Sequence, residues 1–187
     1  FLYQTQADIL KKMGNKKAAL ALLDEAIKSI TDDPELIYAE VLLLDPYTDR
    51  EKLDKTLKQL LLLEPNSPTY LNAYAYTLAL QNRRLKEARQ YAELALKYAP
   101  EQASILDTLG YIAFLQNDFD TAAKVLGKAY ALSQNVNIGL RYAKALYMQG
   151  SLTEFSEVLQ QLKQNHANAP QLQQLDGLIL PLNVKKS

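Results

Sequence analysis

The sequence predicts an all-α protein in which antiparallel helical hairpins follow one another along a single domain. Apolar residues recur at spacings of three and four almost throughout the 187 residues, as they do in amphipathic helices. The alternation of β-branched residues that is typical of strands does not occur. Small residues also recur with a period of about 34: Ala88, Ala92 and Ala95 are followed by Ala122, Leu126 and Ala129. A hairpin that buries its apolar face only against its neighbours must repeat in this way to build a core.

Turn signals divide the chain into five hairpins and a last short segment. The predicted units span residues 1–33, 34–66, 67–101, 102–135 and 136–169, and a capping helix is predicted over 170–181. The second unit is degenerate, and its first helix is predicted to end at Asp45-Pro46, because proline disfavours a helical conformation of the preceding residue. The third and fourth units match best and differ by one residue inserted at Arg83-Arg84, in the turn between two helices.

One stretch of the fourth unit carries a recognisable pattern. "DTLGYIAFLQNDFDTAAKVLGKAYAL", Asp107 to Leu132, has Leu109-Gly110, then Asn117, Phe119, Ala122 and Ala129. With this pattern the sequence resembles the tetratricopeptide repeat (TPR) family over nearly its whole length. The resemblance implies a right-handed superhelix of helical hairpins, an α-solenoid. It also implies that the first helix of each hairpin lines a concave face where a partner peptide or protein segment lies.

A narrower resemblance concerns the third and fourth units. Asn72 to Ala79 and Asp107 to Tyr111 are similar to the C-terminal repeats of proteobacterial outer-membrane TPR lipoproteins, with Ala75 in place of a glycine and Tyr111 in place of a tryptophan. The acylated cysteine of such proteins would lie before Phe1. That resemblance implies the periplasm or the outer membrane, and without it the cytoplasm is the expectation. The absence of cysteine suits either compartment.

Composition and motifs argue against several function classes. The 21 Lys and Arg residues balance the 21 Asp and Glu residues, so no nucleic-acid partner is expected. No apolar run approaches the roughly 20 residues that span a bilayer. His166 is the one histidine, and with no cysteine it predicts no metal site. Phosphate loops, nucleophile elbows and dinucleotide fingerprints are missing, so we expect no cofactor and no enzyme activity. The charge clusters Asp49 to Lys52 and Arg83 to Glu87 are interpreted as solvated helix faces.

The candidate partner groove comes from aligning the first helices of the units. Their outward positions include several aromatic residues, which supply rigid contact area at low entropic cost. The predicted partner-binding residues are Asn72, Tyr76, Asp107, Tyr111, Phe114, Lys144 and Tyr147, and Gln4, Asp8 and Lys11 hold outward positions on the first helix. The alternative is that these aromatic residues are core. Some relatives bind a partner's terminal carboxylate with Lys and Asn at these positions, and the residues here do not form that clamp.

The predicted function is a non-enzymatic scaffold or adaptor that binds another protein or a peptide segment. If the narrower resemblance holds, the scaffold tethers or activates an envelope protease or a cell-wall enzyme. One alternative is a regulatory module that senses a peptide or small ligand. Another is a structural module that forms a homodimer through the apolar stripe of Leu172, Leu175, Leu178 and Ile179.

Overall fold

The computed structural model describes residues 2–172, and these residues form ten α-helices, one short 3-10 helix and no strand. The predicted all-α fold class is therefore confirmed. The helices are α1 (Leu2–Lys12), α2 (Lys16–Ser29), α3 (Pro34–Val41), α4 (Arg50–Leu63), α5 (Pro68–Leu80), α6 (Leu85–Tyr98), α7 (Ala103–Leu115), α8 (Phe119–Ser133), α9 (Val136–Gln149) and α10 (Leu152–Asn165), followed by the 3-10 helix Pro170–Leu172.

Side-chain caps begin several of these helices. Asn15 accepts a hydrogen bond from the backbone N–H of Ala18, and Asp118 accepts one from Thr121. Each cap satisfies a backbone donor that the first helical turn leaves unpaired, which typically stabilises a helix by about 1 kcal/mol. The turn after α9 places Gly150 at a φ of 90°, a conformation that glycine adopts without strain.

Helix α3 is short for a local reason. The carboxylate of Asp45 accepts hydrogen bonds from the N–H groups of Tyr47 at 2.8 Å and Thr48 at 3.0 Å, and Asp49 accepts one from the N–H of Asp45. These bonds build a turn around Pro46, which has no N–H to continue a helix. The helix ends at Val41, before the predicted breaker, and Leu42 is left 58% exposed.

The chain divides into two compact units, Phe1–Tyr98 and Ala99–Ser187. The first unit holds α1 to α6, in which α1 packs on α2, α3 on α4 and α5 on α6. Its core combines small and bulky side chains: Ala88, Ala92 and Ala95 on α6 are fully buried, as are Leu57 and Leu60 on α4. Small side chains let helix backbones approach closely, and leucines fill the remaining space.

The second unit holds α7 to α10, and two of its glycines lie directly against leucine side chains. A Cβ atom on Gly110 of α7 would lie 2.5 Å from the Cγ of Leu126 on α8, and one on Gly139 of α9 would lie 2.5 Å from the Cδ2 of Leu162 on α10. Both leucines are fully buried. The glycine positions therefore accommodate leucine side chains of the partner helices.

The C-terminal stripe is described only at its start. Leu172 lies in the 3-10 helix and is 9% exposed, so it packs against the protein. Leu175, Leu178 and Ile179 lie outside the described residues, and the predicted capping helix is described only over Pro170–Leu172. Among the helices of residues 2–172, none combines the length and the apolar character that spanning a bilayer requires.

Candidate functional site

The second unit contains a cavity of about 210 Å³ between first helices of consecutive hairpins, the α7–α9 cavity. It is lined by Tyr111, Phe114, Leu126, Arg141 and Lys144. Tyr111, Phe114 and Lys144 were predicted for the groove, whereas Leu126 and Arg141 were not. Leu126 reaches the cavity from α8, where its side chain also covers Gly110.

Arg141 is held in place by two groups on α7. Its guanidinium donates a hydrogen bond to Oδ2 of Asp107, and its Cζ atom lies 4.6 Å from the centroid of the Tyr111 ring. Asp107 and Arg141 are 34 positions apart, so the contact joins the first helices of successive hairpins. Ion pairing and stacking on an aromatic ring both favour arginine over lysine at such a position.

The Asp107 carboxyl is in an environment that does not favour its charge. Its side chain is 16% exposed, and burial raises its pKa while the Arg141 guanidinium acts in the opposite direction. Its second oxygen, Oδ1, is buried and accepts no hydrogen bond from any residue in the range 2–172. The stability of a buried, ionised carboxylate with one unsatisfied oxygen depends strongly on its cation partner. Asp107 thus positions Arg141 rather than facing solvent.

Lys144 supplies the cavity's second positive charge. It lies on α9, is half-buried and forms no ion pair with any residue in the range 2–172. Since Asp107 offsets the charge of Arg141, the ammonium of Lys144 remains as the net charge of this surface. The α7–α9 cavity therefore combines an aromatic and apolar lining with one uncompensated positive charge.

The predicted aromatic residues divide between the cavity and hairpin packing. The Phe114 ring lies 5.4 Å, edge-on, from that of Phe119, and the Tyr147 ring lies 5.6 Å from that of the buried Phe155. These contacts join a first helix to its own second helix and are typical aromatic packing. Phe114 thus serves both roles, whereas Tyr147 does not line the α7–α9 cavity.

Asn72 and Tyr76 lie on α5, in the other unit, and are both half-buried. The Oδ1 atom of Asn72 is buried, and no donor in the described part of the chain forms a hydrogen bond to it. Neither residue lines the α7–α9 cavity or the cavity of the first unit described below.

The first unit contains a larger cavity of about 370 Å³, the α1–α3–α5 cavity. Three consecutive first helices contribute to it, and α1 supplies the outward positions expected from the repeat, Gln4, Asp8 and Lys11. The full lining is Gln4, Ala7, Asp8, Lys11, Glu35, Tyr38, Ala39, Leu42, Leu43, Ser67, Thr69 and Tyr70. Sequence reasoning missed the residues from α3 and α5, because the degenerate second unit obscured which residues of α3 face outward.

The sequence predicts that two charge clusters are solvated helix faces. In the structure, a residue of each cluster pairs with buried or half-buried side chains of this chain instead. The ammonium of Lys52 bridges Oε1 of Glu40 at 2.7 Å and Oδ1 of Asp24 at 2.8 Å. The Glu40 side chain is 5% exposed and also accepts a hydrogen bond from the Thr56 hydroxyl at 3.3 Å. Burial raises the pKa of Glu40, and the Lys52 ammonium opposes this. The interpretation as a solvated face is wrong for Lys52.

Arg84 belongs to the second such cluster. Its guanidinium donates to Asp54, and also to the hydroxyl of Tyr74 at 2.9 Å, while the Tyr74 hydroxyl donates to Asp54 at 2.5 Å. Partial burial works against ionisation of Asp54, but hydrogen bonds from Lys58, Tyr74 and Arg84 lower its pKa to about 2. This network joins α4 to α5 and to the turn before α6, and it is structural. Within residues 2–172 no three His, Cys, Asp or Glu side chains are grouped to hold a metal ion.

Two profiles of the family described as Tetratricopeptide repeat match this chain, one over residues 2–33 and one over residues 113–179. The chain belongs to the tetratricopeptide repeat family. A curated relative, the TPR repeat-containing protein PA4667 of Pseudomonas aeruginosa, is 30% identical over 128 residues, which is 68% of this chain. The chain spans 22% of that relative's length.

Solved structures show the same fold at low identity. The MamA 41-end structure from Desulfovibrio magneticus RS-1 superposes with a TM-score of 0.76 at 18% identity, covering 90% of this chain and 96% of that one. Pseudomonas aeruginosa pilF gives a TM-score of 0.74 at 16% identity over 94% and 96% of the two chains. A thermophilic TPR protein of Thermus thermophilus, TTC0263, gives 0.73 at 20% identity over 95% and 97%. At these identities the likeness shows the fold alone. Proteins of the tetratricopeptide repeat family, to which the sequence profiles assign this chain, generally serve protein–protein interaction without catalysis.

Proposed function

We propose that this TPR protein is a non-enzymatic interaction module that binds a segment of a partner protein at the α7–α9 cavity. The observation that carries the proposal is the position of an aromatic, positively charged cavity between two successive first helices. Arginine and tyrosine are the residue types that contribute most to binding at protein interfaces. Tyr111 and Arg141 meet here in direct contact.

The size of the α7–α9 cavity favours a side chain as its occupant. A cavity of about 150 Å³ holds a benzene molecule, whereas pockets for drug-sized ligands measure roughly 300–1,000 Å³. At about 210 Å³, the α7–α9 cavity suits one aromatic or branched aliphatic side chain. A partner segment that inserts one such side chain would place its backbone and neighbouring residues across Lys144.

The contacts of Arg141 prepare this surface for binding. Because Asp107 and Tyr111 already orient the guanidinium, little side-chain entropy remains to be lost when a partner covers it. Replacing Arg141 with methionine should therefore weaken binding twice over, by removing a contact and by leaving the Asp107 carboxylate unpaired. The amide variant Asp107→Asn should weaken binding less, since a neutral amide can be buried without a cation beside it.

The finer role that we propose is the tethering or activation of an envelope protease or cell-wall enzyme. It is supported by the similarity of Asn72 to Ala79 and Asp107 to Tyr111 to repeats of outer-membrane TPR lipoproteins. Labelling the full-length gene product with palmitate in growing cells tests the lipoprotein assignment. A product that takes up no label would remove the support for an envelope role and leave the binding proposal intact.

Affinity capture from native extract tests the binding proposal. The chain would be compared with Tyr111→Ala and Lys144→Gln, and with Lys128→Gln as a control that removes the same charge from the exposed face of α8. The captured partner is then purified, and its dissociation constant for each variant is measured by calorimetry. We expect at least a tenfold loss for Tyr111→Ala, a smaller loss for Lys144→Gln and none for the control. A partner retained equally by all four folded proteins would contradict the proposal.

A further inference from the structure

The α1–α3–α5 cavity differs from the α7–α9 cavity in the sign of its charge. Its lining carries the carboxylates of Asp8 and Glu35 and the ammonium of Lys11, and all three are exposed. None of the three forms an ion pair with another residue in the range 2–172. Two carboxylates face one ammonium, so the lining carries an excess of one negative charge.

A pair of tyrosines lines the same cavity. The ring centroids of Tyr38 and Tyr70 lie 5.2 Å apart with the rings tilted by 50°, and both rings line the cavity. Burial raises the pKa of Tyr70, as do the nearby carboxylates of Glu64, Glu35 and Asp33. The faces of the two rings also attract cations, because the face of an aromatic ring carries partial negative charge.

The remaining lining is apolar. Ala7 is 3% exposed and Leu43 is 6% exposed, whereas Leu42 is 58% exposed because α3 ends just before it. An isolated exposed leucine is ordinary on a protein surface. Here Leu42 lies against a cavity of about 370 Å³, which exceeds the space that one side chain fills.

We propose that the α1–α3–α5 cavity binds a basic peptide segment, with one arginine or lysine side chain against Tyr38, Tyr70 and Glu35 and a neighbouring aliphatic side chain on Leu42. Charge complementarity selects this occupant. An acidic segment would be repelled by Asp8 and Glu35, and a nucleic acid by the same charges. A neutral apolar segment would leave both carboxylates beside an uncharged surface and gain nothing from them.

The site is independent of the proposed function, because it lies in the first unit and shares no residue with the α7–α9 cavity. Loss of one therefore leaves the other measurable. The variants used for each cavity serve as controls for the other.

Fluorescence anisotropy with the full 187-residue chain tests the proposal. The probes are three fluorescein-labelled, end-blocked heptapeptides with the sequence Ser-Ser-Leu-Xaa-Leu-Ser-Ser, in which Xaa is arginine, glutamine or glutamate. Free arginine amide is added as a competitor. The protein variants are Glu35→Gln, Asp8→Asn and Lys11→Gln. Glu51→Gln is the matched control, since Glu51 is exposed on α4 and does not line the cavity.

The arginine peptide should bind at least tenfold more tightly than the glutamate peptide. Glu35→Gln and Asp8→Asn should each weaken its binding about threefold, and Lys11→Gln should strengthen it about twofold, because single exposed charges contribute modestly. Glu51→Gln should change nothing. The affinity should fall as salt is raised from about 50 to about 300 mM.

Several results would overturn the proposal. Equal or tighter binding of the glutamate peptide would reverse the expected charge preference. Weaker binding by Lys11→Gln would show that the cation, not the carboxylates, attracts the ligand. No binding of the arginine peptide up to about 1 mM would exclude a useful affinity. Arginine amide binding as tightly as the peptide would show a small-molecule site rather than a peptide site.

Discussion

The effect of Gly110→Ala on the free energy of unfolding should change sign with the size of the residue at position 126 on the facing helix α8. The methyl group would lie 2.5 Å from the Cγ and 2.9 Å from the Cδ2 of Leu126, which is fully buried. Overpacking of this kind costs about 1–3 kcal/mol, whereas replacing a helical glycine with alanine gains about 1 kcal/mol. The net effect should be a loss of about 1 kcal/mol in the free energy of unfolding.

In a Leu126→Ala background the clashing atoms are absent. Gly110→Ala should then stabilise the protein by about 1 kcal/mol, through helix propensity alone. The two substitutions together form a double-mutant cycle with an expected coupling of about 2 kcal/mol. The third hairpin already has this combination, since Ala75 and Ala92 occupy the corresponding positions and are fully buried.

Urea unfolding followed by circular dichroism measures the cycle. For a slope near 2 kcal/mol/M, a change of 1 kcal/mol moves the midpoint by about 0.5 M. Ala75→Gly is the control in the first unit, and it should cost more than about 1 kcal/mol, because it removes a buried methyl group as well as helix propensity, by the same amount with leucine or alanine at position 126. An effect of Gly110→Ala that is the same with leucine or alanine at position 126 would refute the argument that Leu126 requires glycine opposite it.

Two further predictions concern charge. Because the folded-state pKa of Asp54 is about 2, below its ordinary value of 3.8, its stabilisation is present above pH 4 and lost as the pH falls through 2. The lowered pKa corresponds to about 2 kcal/mol of stabilisation, which solvent screening reduces to about 1 kcal/mol because Asp54 is one-third exposed. In urea titrations, the stability advantage of the unsubstituted protein over Asp54→Asn should therefore shrink by about 1 kcal/mol between pH 5 and pH 2. Lys52→Met should cost about 2 kcal/mol at pH 7 and less at pH 4.5, because Glu40 has a raised pKa and is protonated more readily without its cation. A pH-independent loss for Lys52→Met would contradict this account of Glu40.

The helices could be predicted because their signals are local. Apolar spacing marks each amphipathic face, and residues such as Asn15 and Asp118 mark helix starts through bonds to the next turn. The bonds that build the turn at Asp45 also lie within four residues of one another. The family followed from the same local pattern repeated at a fixed period.

The candidate sites were only partly predictable. Tyr111, Phe114 and Lys144 were proposed from repeat alignment, and Arg141 could have been, because it lies three residues before Lys144 and so shares its face of α9. Tyr38 carried no comparable signal, since the second unit departs from the repeat, and Tyr70 was not among the outward positions aligned in the third unit. Their ring contact joins two helices that are separated by the whole of α4.

The sequence by itself determined the helical class and the repeat, because these depend on spacing along one helix or on a period of about 34. Only the tertiary structure decided which charges are paired and which face a cavity. Lys52 pairs with buried Glu40, whereas Lys144 has no ion-pair partner within residues 2–172. Both are lysines on amphipathic helices, and their difference comes from which distant side chains the packing brings within hydrogen-bonding reach.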